Sequence, residues 1–532
     1  MAPTGLELDQ PAPPLPDLLG KGLKSTPDQI AIVSAERQMS WRELENASAT
    51  LAREYLALGL EPGDRFASLM PNRIGLVIHY LACFKAGLVV TPLNYRYTHR
   101  EIDHALGVSG ASVLLAHSER AEDLAASELV PDLAFGTITY GGDRETGDAG
   151  AISFEDLLER KTAAADEPAT AGIPRRDGRD PAAIFFTSGS TGPSKGVTHS
   201  NDSLRWMIAS AGAAFELSSE DVFLPGSSMS HIGSFLWALS TLAVGGKVVV
   251  ARTYDSHELL PLLREHQPTV LAMIPAALIA LVRDHDLQPS DFSSLRVCRS
   301  GSDSVSTELL TEFAATAGFP IDEGYGMTEV GLATLNPPSG VIKQGSIGQP
   351  IAGYEIDIRD DEGNQLDVES VGRVFIRTRS LMEGYWEAED ATAEVIFDGW
   401  IDSGDLARTD EDGYLWFFGR KKQVIVHDGS NISPQEVEGA LDEHPAIEMA
   451  GVVGVHDEVH GETVRAYVTL RPGAESPSMA DLMVFCRDRI GYKAPEEIVV
   501  LDEIPLNPTG KIDRTGLKRM AEEHLHPHGL AH

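Results

Sequence analysis

The sequence predicts an α/β protein with mostly parallel sheets, followed by an antiparallel, barrel-like part and a small C-terminal domain. From about residue 28 to residue 250, short apolar runs alternate with amphipathic helical stretches, which is typical of strands joined by crossover helices. From about Gly345 to Phe418 the pattern changes to short strands separated by the turn sequences DEGN, FDGW and DEDGY. After GRKKQVIV the chain returns to mixed helix and strand signals, which predicts a domain boundary near residues 420–423.

The first α/β unit shows how the individual elements are predicted. The stretch from residue 30 to residue 59 indicates a strand, a turn and a helix, and the helix begins after Ser40 with Glu43 three residues later, as in a capping box. The stretch VIHYLACFKAGLVVTPLN indicates a helix that stops at a glycine and leads into a buried strand. The polar, Gly/Ala/Pro-rich segment 161–180 is expected to be a surface connection.

Composition and charge exclude several classes of protein. The chain has 532 residues, of which 42% are hydrophobic and 23% charged, so it has ample material for a core. With 43 Lys and Arg against 80 Asp and Glu, the formal net charge is −37. Such a surface repels phosphate backbones and anionic membranes, so nucleic acid is not an expected partner. A bound nucleotide stays possible, because one electropositive loop can override the overall sign.

Cysteine content and hydropathy bear on the compartment. The three cysteines are far apart in the sequence and odd in number, which predicts neither a disulfide framework nor a cysteine-rich metal site. The N-terminus lacks the basic and apolar regions of a signal peptide, and no stretch approaches the ~20 apolar residues of a membrane span. We therefore expect a soluble protein of the reducing cytoplasm.

The segment Ile184–Ser200, IFFTSGSTGPSKGVTHS, is the strongest candidate for a phosphate-binding loop. An apolar strand runs into a loop whose backbone N–H groups, hydroxyls and one lysine can surround an anion. The candidate ligands in it are Thr187, Ser188, Gly189, Ser190, Thr191, Gly192 and Lys195. A flexible linker is the alternative, but linkers do not usually begin at a buried strand or carry such a lysine. The Walker A pattern, and with it a P-loop phosphotransferase, has no match here.

This loop, T-S-G-S-T-G-x-x-K-G, resembles the signature of the adenylate-forming superfamily, which contains acyl- and aryl-CoA synthetases, luciferases and nonribosomal adenylation domains. Three further segments resemble motifs of the same superfamily in the expected order: EGYGMTE (Glu323–Glu329), WIDSGDLARTDEDGYLWFFGRKK (Trp400–Lys422) and NPTGKIDR (Asn507–Arg514). The resemblance covers essentially the whole chain.

The resemblance implies a two-domain ligase. A large N-terminal domain (1–419) of two α/β sheets plus a β-barrel subdomain would be hinged near Lys422 to a small α+β domain (420–532). The implied reaction joins a carboxylic acid and ATP, with Mg²⁺, to give acyl-AMP and pyrophosphate, and the CoA thiol then gives acyl-CoA and AMP. Two alternatives stay open: an adenylation-only enzyme that passes the acyl group to a carrier protein or a separate ligase, and a catalytically silent nucleotide-binding protein.

The resemblance also assigns roles to individual residues. The implied catalytic residues are Lys511, Thr328 and His231, and the implied Mg²⁺ ligand is Glu329. Besides the loop, the implied ATP-binding residues are Ser302, Asp303, Glu323, Gly324, Tyr325, Gly326, Met327, Thr328, Asp405, Arg420 and Lys511. Contacts to the acid are implied for His231, Gly301, Gly326 and Gly331, a CoA contact for Gly429, and the hinge for Lys422.

Taken singly, these residues have ordinary explanations. Without the family, Asp405 would be interpreted as a turn residue, Arg420 and Lys511 as solvated charges, and Tyr325 as a core aromatic. For His231, a buried and hydrogen-bonded imidazole is about as well supported as a direct substrate contact.

Two departures from the pattern affect the prediction. SGSDSVS (Ser300–Ser306) replaces the usual S-G-G-A-P-L, so that Asp303 could accept from adenine or from a polar substrate group. Asp428 precedes Gly429 where many CoA ligases have G-G-E-N, and its negative charge is expected to disfavour anionic CoA. A compact aromatic acid and a short or medium aliphatic acid fit almost equally well, and the sequence leaves open whether the protein is a monomer or a homodimer.

Overall fold

The computed structural model describes residues 8–142, 152–160, 176–187, 194–301, 305, 307–427, 430–457, 461–474, 476–507 and 510–525. Fifteen helices run through these ranges: α1 (Gly20–Ser25), α2 (Trp41–Ala57), α3 (Ile74–Ala86), α4 (His99–Ser109), α5 (Ala121–Ala126), α6 (Phe154–Glu159), α7 (Asn201–Ala214), α8 (Ile232–Ala243), α9 (Ser256–His266), α10 (Pro275–Val282), α11 (Thr307–Ala317), α12 (Glu389–Ala393), α13 (Pro434–Asp442), α14 (Met479–Ile490) and α15 (Arg514–Leu525).

The strands of the same ranges form four sheets. They are β1 (Ile30–Ser34), β2 (Gln38–Ser40), β3 (Arg65–Leu69), β4 (Val89–Pro92), β5 (Val113–His117), β6 (Thr137–Tyr140), β7 (Ile152–Ser153), β8 (Pro181–Phe186), β9 (Gly196–Ser200), β10 (Val222–Gly226), β11 (Lys247–Val250), β12 (Val270–Met273), β13 (Val297–Ser300), β14 (Asp322–Met327), β15 (Gly331–Leu335), β16 (Gln349–Pro350), β17 (Tyr354–Arg359), β18 (Gly372–Thr378), β19 (Gly384–Tyr385), β20 (Ile396–Phe397), β21 (Trp400–Thr409), β22 (Leu415–Arg420), β23 (Ile425–His427), β24 (Ser430–Ile432), β25 (Ile447–Asp457), β26 (Gly461–Leu470) and β27 (Glu497–Val500).

Two large sheets make up most of the N-terminal domain. One has nine strands in the order β16-β15-β14-β13-β12-β10-β11-β1-β2, and the other has eight in the order β19-β9-β8-β4-β3-β5-β6-β7. Their central pairings, such as β12 with β13 and β3 with β4, are parallel, and antiparallel pairs occur towards the edges. The predicted α/β architecture with two mostly parallel sheets is therefore confirmed.

Helices α3 and α8 pack between these two sheets. All 13 residues of α3 are buried, which agrees with its largely apolar sequence, in which His79 and Lys85 are exceptions. From α8, the ring of Phe235 lies 5.1 Å from that of Tyr80 in α3 and 5.0 Å from that of Phe185 in β8. A single core therefore ties the two sheets together, and the loop after β8 emerges directly from it.

Local sequence signals set the ends of the first helices. The Ser40 hydroxyl accepts from the backbone N–H of Glu43, and the Glu43 carboxylate accepts from the backbone N–H of Ser40, which is the predicted capping box. Gly87 ends α3 at φ +72°, in the left-handed region that glycine occupies without strain.

The antiparallel part predicted from Gly345 onward is present as a five-stranded sheet. Its strands pair in the order β17-β18-β21-β20, β22 pairs with a further stretch of the long strand β21, and every pairing is antiparallel. Strand β22 ends at Arg420, so the last strand of the large domain leads directly into the segment that joins the two domains.

The small C-terminal domain has one five-stranded sheet. Its order is β24-β23-β26-β25, and β27 joins β26 in parallel. Helices α13 and α14 pack with the apolar side of this sheet around Val437, Leu482 and Val452. This mixed arrangement agrees with the predicted α+β domain. Within the described residues, no helix is long and apolar enough to cross a membrane.

Candidate functional site

The candidate phosphate loop connects two antiparallel neighbours, β8 and β9. Its base is closed by the backbone N–H of Thr187, which donates to the carbonyl of Lys195 at 3.2 Å, and by the Lys195 N–H, which lies 3.4 Å from the Thr187 hydroxyl. The loop therefore begins and ends at one point on the edge of the buried sheet. The predicted ligands from Ser188 to Gly192 lie outside the described residues.

A hairpin made of β14 and β15 carries the EGYGMTE segment. Thr328 and Glu329 occupy the turn between the two strands, so both project from the end of β14. Gly331 follows with φ +75°, and a Cβ there would lie 2.6 Å from Cγ of Met207. Both the backbone angle and the close packing require glycine at this position.

Glu329 is a buried carboxylate held by a tyrosine. Its side chain accepts a hydrogen bond from the Tyr385 hydroxyl at 2.9 Å, and only 7% of the residue is exposed. Burial raises the pKa of Glu329, while the Tyr385 hydroxyl and the positive charge of Arg420 act in the opposite direction. The Nζ atom of Lys195 lies 4.7 Å above the Tyr385 ring, which brings the end of the loop to the same place.

Backbone pairing holds Tyr385 against the loop. Strand β19 pairs with β9, so that Tyr385 lies opposite Val197, and the Trp386 N–H donates to the carbonyl of Gly196 at 2.7 Å. On the other side, the Met382 N–H donates to the carbonyl of Glu329 at 2.8 Å. The segment from residue 382 to residue 386 therefore bridges the loop exit and the candidate metal ligand.

Asp405 lies at the centre of a second group. Its Oδ2 accepts from the Tyr325 hydroxyl at 2.6 Å, and its Oδ1 lies 3.3 Å from Nε of Arg420. Asp405 and Arg420 are directly opposite each other in the β21–β22 pair, which fixes this ion pair. Burial raises the pKa of Asp405, against the lowering effect of Arg420, Tyr325 and Lys511. The Tyr325 ring lies 6.1 Å from that of Phe417, so the group has an aromatic wall.

Lys511 enters this region from the small domain. Its backbone N–H donates to the Asn507 side chain at 3.1 Å, and its carbonyl accepts from the Asn507 N–H at 2.7 Å, which defines the turn that carries it. The positive charge of Lys511 lowers the pKa of both Asp405 and His231. Burial is the larger effect on His231, whose pKa falls to about 4. His231 is therefore a neutral imidazole at neutral pH, located immediately before α8.

The remaining predicted residues divide into three sets. Gly301, Glu323, Gly324, Gly326 and Met327 lie in or beside β13 and β14, next to the hairpin. Burial raises the pKa of Glu323 to about 7, against the Gly345 N–H, which donates to its carboxylate at 3.0 Å. Lys422 is exposed in the turn after β22. Ser302, Asp303, Asp428 and Gly429 lie outside the described residues.

The sequence analysis missed two residues of the site. Tyr385 was not singled out, although Gly384 and Trp386 beside it form the conspicuous sequence GYW. His199, at the end of β9, has its Nε2 2.8 Å from the carbonyl of Thr328 and is 0% exposed. Burial lowers its pKa to about 4, so a neutral imidazole fixes the backbone of Thr328. The close apposition of β9 and the hairpin turn is a tertiary contact that no local pattern indicates.

The arrangement has the chemistry of a nucleotide-phosphate site. The described residues bring together the two ends of the glycine- and hydroxyl-rich loop, a buried carboxylate beside a hydroxyl residue, and a carboxylate–arginine pair next to an aromatic ring. A lysine from a second domain completes the arrangement. Thr328 and Glu329 offer the hard oxygen donors that suit Mg²⁺. With its buried carboxylate next to the loop, the site fits a metal-bound nucleotide.

Comparison with known proteins identifies the family. Residues 21–386 match the family model for AMP-binding enzymes, and residues 436–511 match the model for the C-terminal domain of AMP-binding enzymes. A 2-succinylbenzoate–CoA ligase from Geobacillus kaustophilus is 31% identical over 95% of this chain and 98% of its own. A fatty acid–[acyl-carrier-protein] ligase from Streptomyces coeruleorubidus is 32% identical over 92% and 93%.

A solved structure agrees over the same length. ATP-bound MatB from Rhodopseudomonas palustris superposes with a TM-score of 0.85 at 26% identity, over 96% of this chain and 99% of that one. The fold, the site and both family models lead to the same conclusion. The chain belongs to the AMP-binding enzyme family, and it is an AMP-forming acid–thiol ligase.

Proposed function

We propose that this ligase activates a small carboxylic acid with ATP, releases pyrophosphate, and transfers the acyl group from the acyl-AMP to the thiol of CoA. The observation that carries the proposal is the convergence of Lys511, Asp405 and His231, which come from two domains and share one electrostatic environment. A nucleotide-binding protein without catalysis would have no use for a lysine delivered in this way, so we do not favour that alternative.

The first step is an in-line displacement at the α-phosphorus. A carboxylate oxygen of the acid forms a bond to phosphorus, and the bond to the bridging oxygen of pyrophosphate breaks. Both reactants are anions, so their approach requires positive charge at the point of contact. Lys511 is proposed to supply that charge to the carboxylate and the phosphate oxygens, which stabilises the transition state electrostatically.

The nucleoside end is proposed to bind at Asp405. Its carboxylate can accept from the two ribose hydroxyls, Arg420 is the second ribose contact, and Tyr325 gives the adenine an aromatic face. The phosphates would lie against the loop from Thr187 to Lys195, whose backbone N–H groups and lysine favour anions.

Glu329 and Thr328 are proposed to hold a Mg²⁺ ion and a phosphate oxygen, respectively. A bound Mg²⁺ neutralises phosphate charge in such sites. The chain's own contribution is to keep the Glu329 carboxylate oriented through Tyr385 and the Thr328 backbone fixed through His199.

For the second step we propose a rotation of the small domain (420–532) against the large one (1–419), about a hinge at Lys422. Lys422 is exposed in the turn after β22, so its backbone can change conformation without breaking core packing. The rotation would withdraw Lys511 and bring Gly429 to the thioester site. Asp428 beside it supports an alternative acceptor, the thiol of an acyl carrier protein, and one relative is named as a ligase of that kind.

The acid stays open between a compact aromatic acid and a short or medium aliphatic one. The relatives' named acids differ in the same way, because one is a succinylbenzoate and another a fatty acid. Use of ATP and CoA, together with buried free thiols at Cys83, Cys298 and Cys486, favours the cytoplasm as the place of action.

The test is pyrophosphate and AMP release from Mg-ATP across a panel of aryl and aliphatic acids, with and without CoA, with the thioester identified by mass spectrometry. We expect pyrophosphate release with at least one acid and a CoA thioester when CoA is present. If acyl-AMP forms without a thioester, the acyl acceptor is a carrier protein and not CoA, and Asp428 is the next residue to change. Lys511→Ala is expected to lose adenylation while it still binds ATP, and unchanged adenylation in that variant would refute the role of Lys511.

A further inference from the structure

Arg299 is a buried arginine that the proposed mechanism does not use. It is the third residue of β13, directly before Ser300 and Gly301, and only 4% of it is exposed. It makes one hydrogen bond among the described residues, from Nη2 to the carbonyl of Gly324 at 3.1 Å. Its Nε, also buried, has no hydrogen-bond partner in that part of the chain. Buried donors are nearly always paired, so this one is available to a ligand.

The guanidinium lies at the wall where the acid is expected to bind. Its Cζ is 5.0 Å from the ring of Trp237 in α8, and the edge of that indole lies over Gly233, two residues after His231. Trp237 Nε1 is a second buried donor without a partner among the described residues. Arg299 and Trp237 therefore continue the wall that begins at His231.

Two glycines lie directly against the guanidinium. A Cβ at Gly301 would lie 2.7 Å from Nη2 of Arg299, and a Cβ at Gly324 would lie 3.4 Å from its Nε. Gly301 was already predicted from the sequence to contact the acid. Any larger residue at Gly301 would clash with the arginine, so the position of the guanidinium depends on glycine there.

The charge of Arg299 is only partly offset by an acidic neighbour among the described residues, because the charge of Asp322 opposes the effect of burial on the pKa of Arg299. Asp322 is its register partner on β14, but no Arg299–Asp322 ion pair within 4.0 Å is present in the described chain. Burial raises the pKa of Asp322, against the lowering effect of its hydrogen bond with Asn336 and of the charge of Arg299. Burial lowers the pKa of Arg299 to about 10, which still leaves it charged. A buried cation without a directly bonded anion is costly, and a carboxylate that hydrogen-bonds to it would reduce that cost.

We propose that Arg299 binds a second carboxylate of the acid substrate, at the end opposite the carboxylate that reacts with ATP. This inference rests on the proposed function and narrows its substrate class to dicarboxylic acids. A carboxylate can accept from Nε and a neighbouring N–H of one guanidinium at the same time, which fixes the orientation of the acid. The reacting carboxylate would then lie on the His231 and Lys511 side.

Matched pairs of acids test the proposal. Pyrophosphate exchange is measured for benzoate against terephthalate, hexanoate against adipate, and octanoate against suberate. The wild-type protein is expected to prefer the diacid in at least one pair. Arg299→Met would remove the protein's partner of the second carboxylate. Because the loss of one partner of a buried charge pair is costly, kcat/KM for that diacid is expected to fall by about 30-fold or more. The same substitution should leave the monoacid unchanged or improve it.

Two further variants separate recognition from folding. Arg299→Lys keeps the charge and is expected to recover part of the diacid preference. Arg296→Met removes a nearby arginine of the same sheet, one that is paired with Asp221 at 2.8 Å, and should leave the ratio of diacid to monoacid unchanged. ATP binding by calorimetry shows whether each variant is folded.

The outcomes distinguish a failure of this inference from a failure of the proposed ligase function. If the wild-type protein uses each monoacid as efficiently as the matched diacid, the role of Arg299 is overturned and the ligase function stays intact. The same holds if Arg299→Met is folded and keeps the diacid preference. Exchange with no acid of either kind, in a protein that binds ATP, would refute both.

Discussion

At the residue scale, the site depends on side chains that never touch the reacting atoms. Tyr385 donates to Glu329 and lies under Lys195, so one phenol serves two of the predicted phosphate-site residues. Partners of this kind orient a metal ligand and set its charge, and their loss commonly weakens metal binding by about 10–100-fold.

Replacement of Tyr385 by phenylalanine tests this role. Without the hydroxyl, the pKa of Glu329 rises, because the hydrogen bond that opposes burial is lost. The concentration of Mg²⁺ needed for half-maximal pyrophosphate exchange is expected to increase about 10-fold, and the acidic limb of the pH–rate profile should move to higher pH. Tyr414→Phe is the matched control, since its hydroxyl donates to Val341 away from the site. An unchanged Mg²⁺ requirement in Tyr385→Phe would contradict the role.

The sequence predicted some of these residues and could not predict others, for a physical reason. Asp405 and Arg420 stand 15 positions apart, but a known motif contains both, and they are opposite each other in one β ladder. Tyr385 and Glu329 are joined by a contact across two sheets, and nothing local marks it. Arg299 was not singled out either, because a single arginine in an apolar strand gives no periodic signal.

At the scale of elements, the buried helix α3 carries a histidine in its centre. His79 is 0% exposed, its Nδ1 lies 2.9 Å from the Tyr55 hydroxyl, and its ring is 4.6 Å from that of Phe66. Burial lowers its pKa to about 3. Between pH 6.5 and about 3 the unfolded chain therefore binds a proton at this residue and the folded protein does not.

Because of this difference, the free energy of unfolding decreases as the pH is lowered. Since the unfolded state binds the extra proton, acidification favours it, by about 1.4 kcal/mol per pH unit well below pH 6.5. His79→Gln removes the group and should lose about 2 kcal/mol less stability than the wild-type protein between pH 7 and pH 5. Chemical denaturation at the two pH values measures the difference. Equal losses in the two proteins would show that His79 is not neutral in the folded state.

The individual helices and strands could be predicted from the sequence better than the way they pair and pack. The capping box at Ser40 and the glycine end of α3 are local signals, and both are present as expected. The alternation of strands and helices in the sequence was sufficient to predict mostly parallel sheets. It could not show that β9 and β19 would pair, because β19 has only two residues and lies almost 200 positions later.

At the scale of the whole molecule, an ion pair joins the two domains. Arg471 of the small domain donates to Glu308 in α11 of the large domain at 2.5 Å, and Arg283 lies 3.2 Å from the other oxygen of the same carboxylate. Arg471 and Glu308 are partly exposed, so the pair contributes only about 0.5–1 kcal/mol. Such a contact favours the domain arrangement of the structure, in which the charge of Lys511 acts on Asp405, without locking it.

Arg471→Ala is expected to shift the balance between the two half-reactions. Loss of about 0.5–1 kcal/mol corresponds to a two- to fivefold lower rate of pyrophosphate exchange relative to thioester formation. Salt should have the same effect on the wild-type protein and little on the variant, because ions screen an exposed pair. Arg489→Ala, which breaks the Arg489–Glu443 pair within the small domain, is the control. A variant with an unchanged ratio of rates would show that the pair does not influence domain position.

The hydrogen bond from Tyr325 to Asp405 has a consequence for the catalytic cycle. The phenol occupies Oδ2 of Asp405, while Oδ1 is buried without a hydrogen-bond partner in the described part of the chain, so a ribose bound there as proposed could pair with Oδ1 and leave the phenol in place. Under the proposed ribose contact, Tyr325 would keep the Asp405 carboxylate in one orientation while the sugar binds and leaves. ATP, acyl-AMP and AMP would then meet the same acceptor, and the sugar end would need no rearrangement between the two half-reactions.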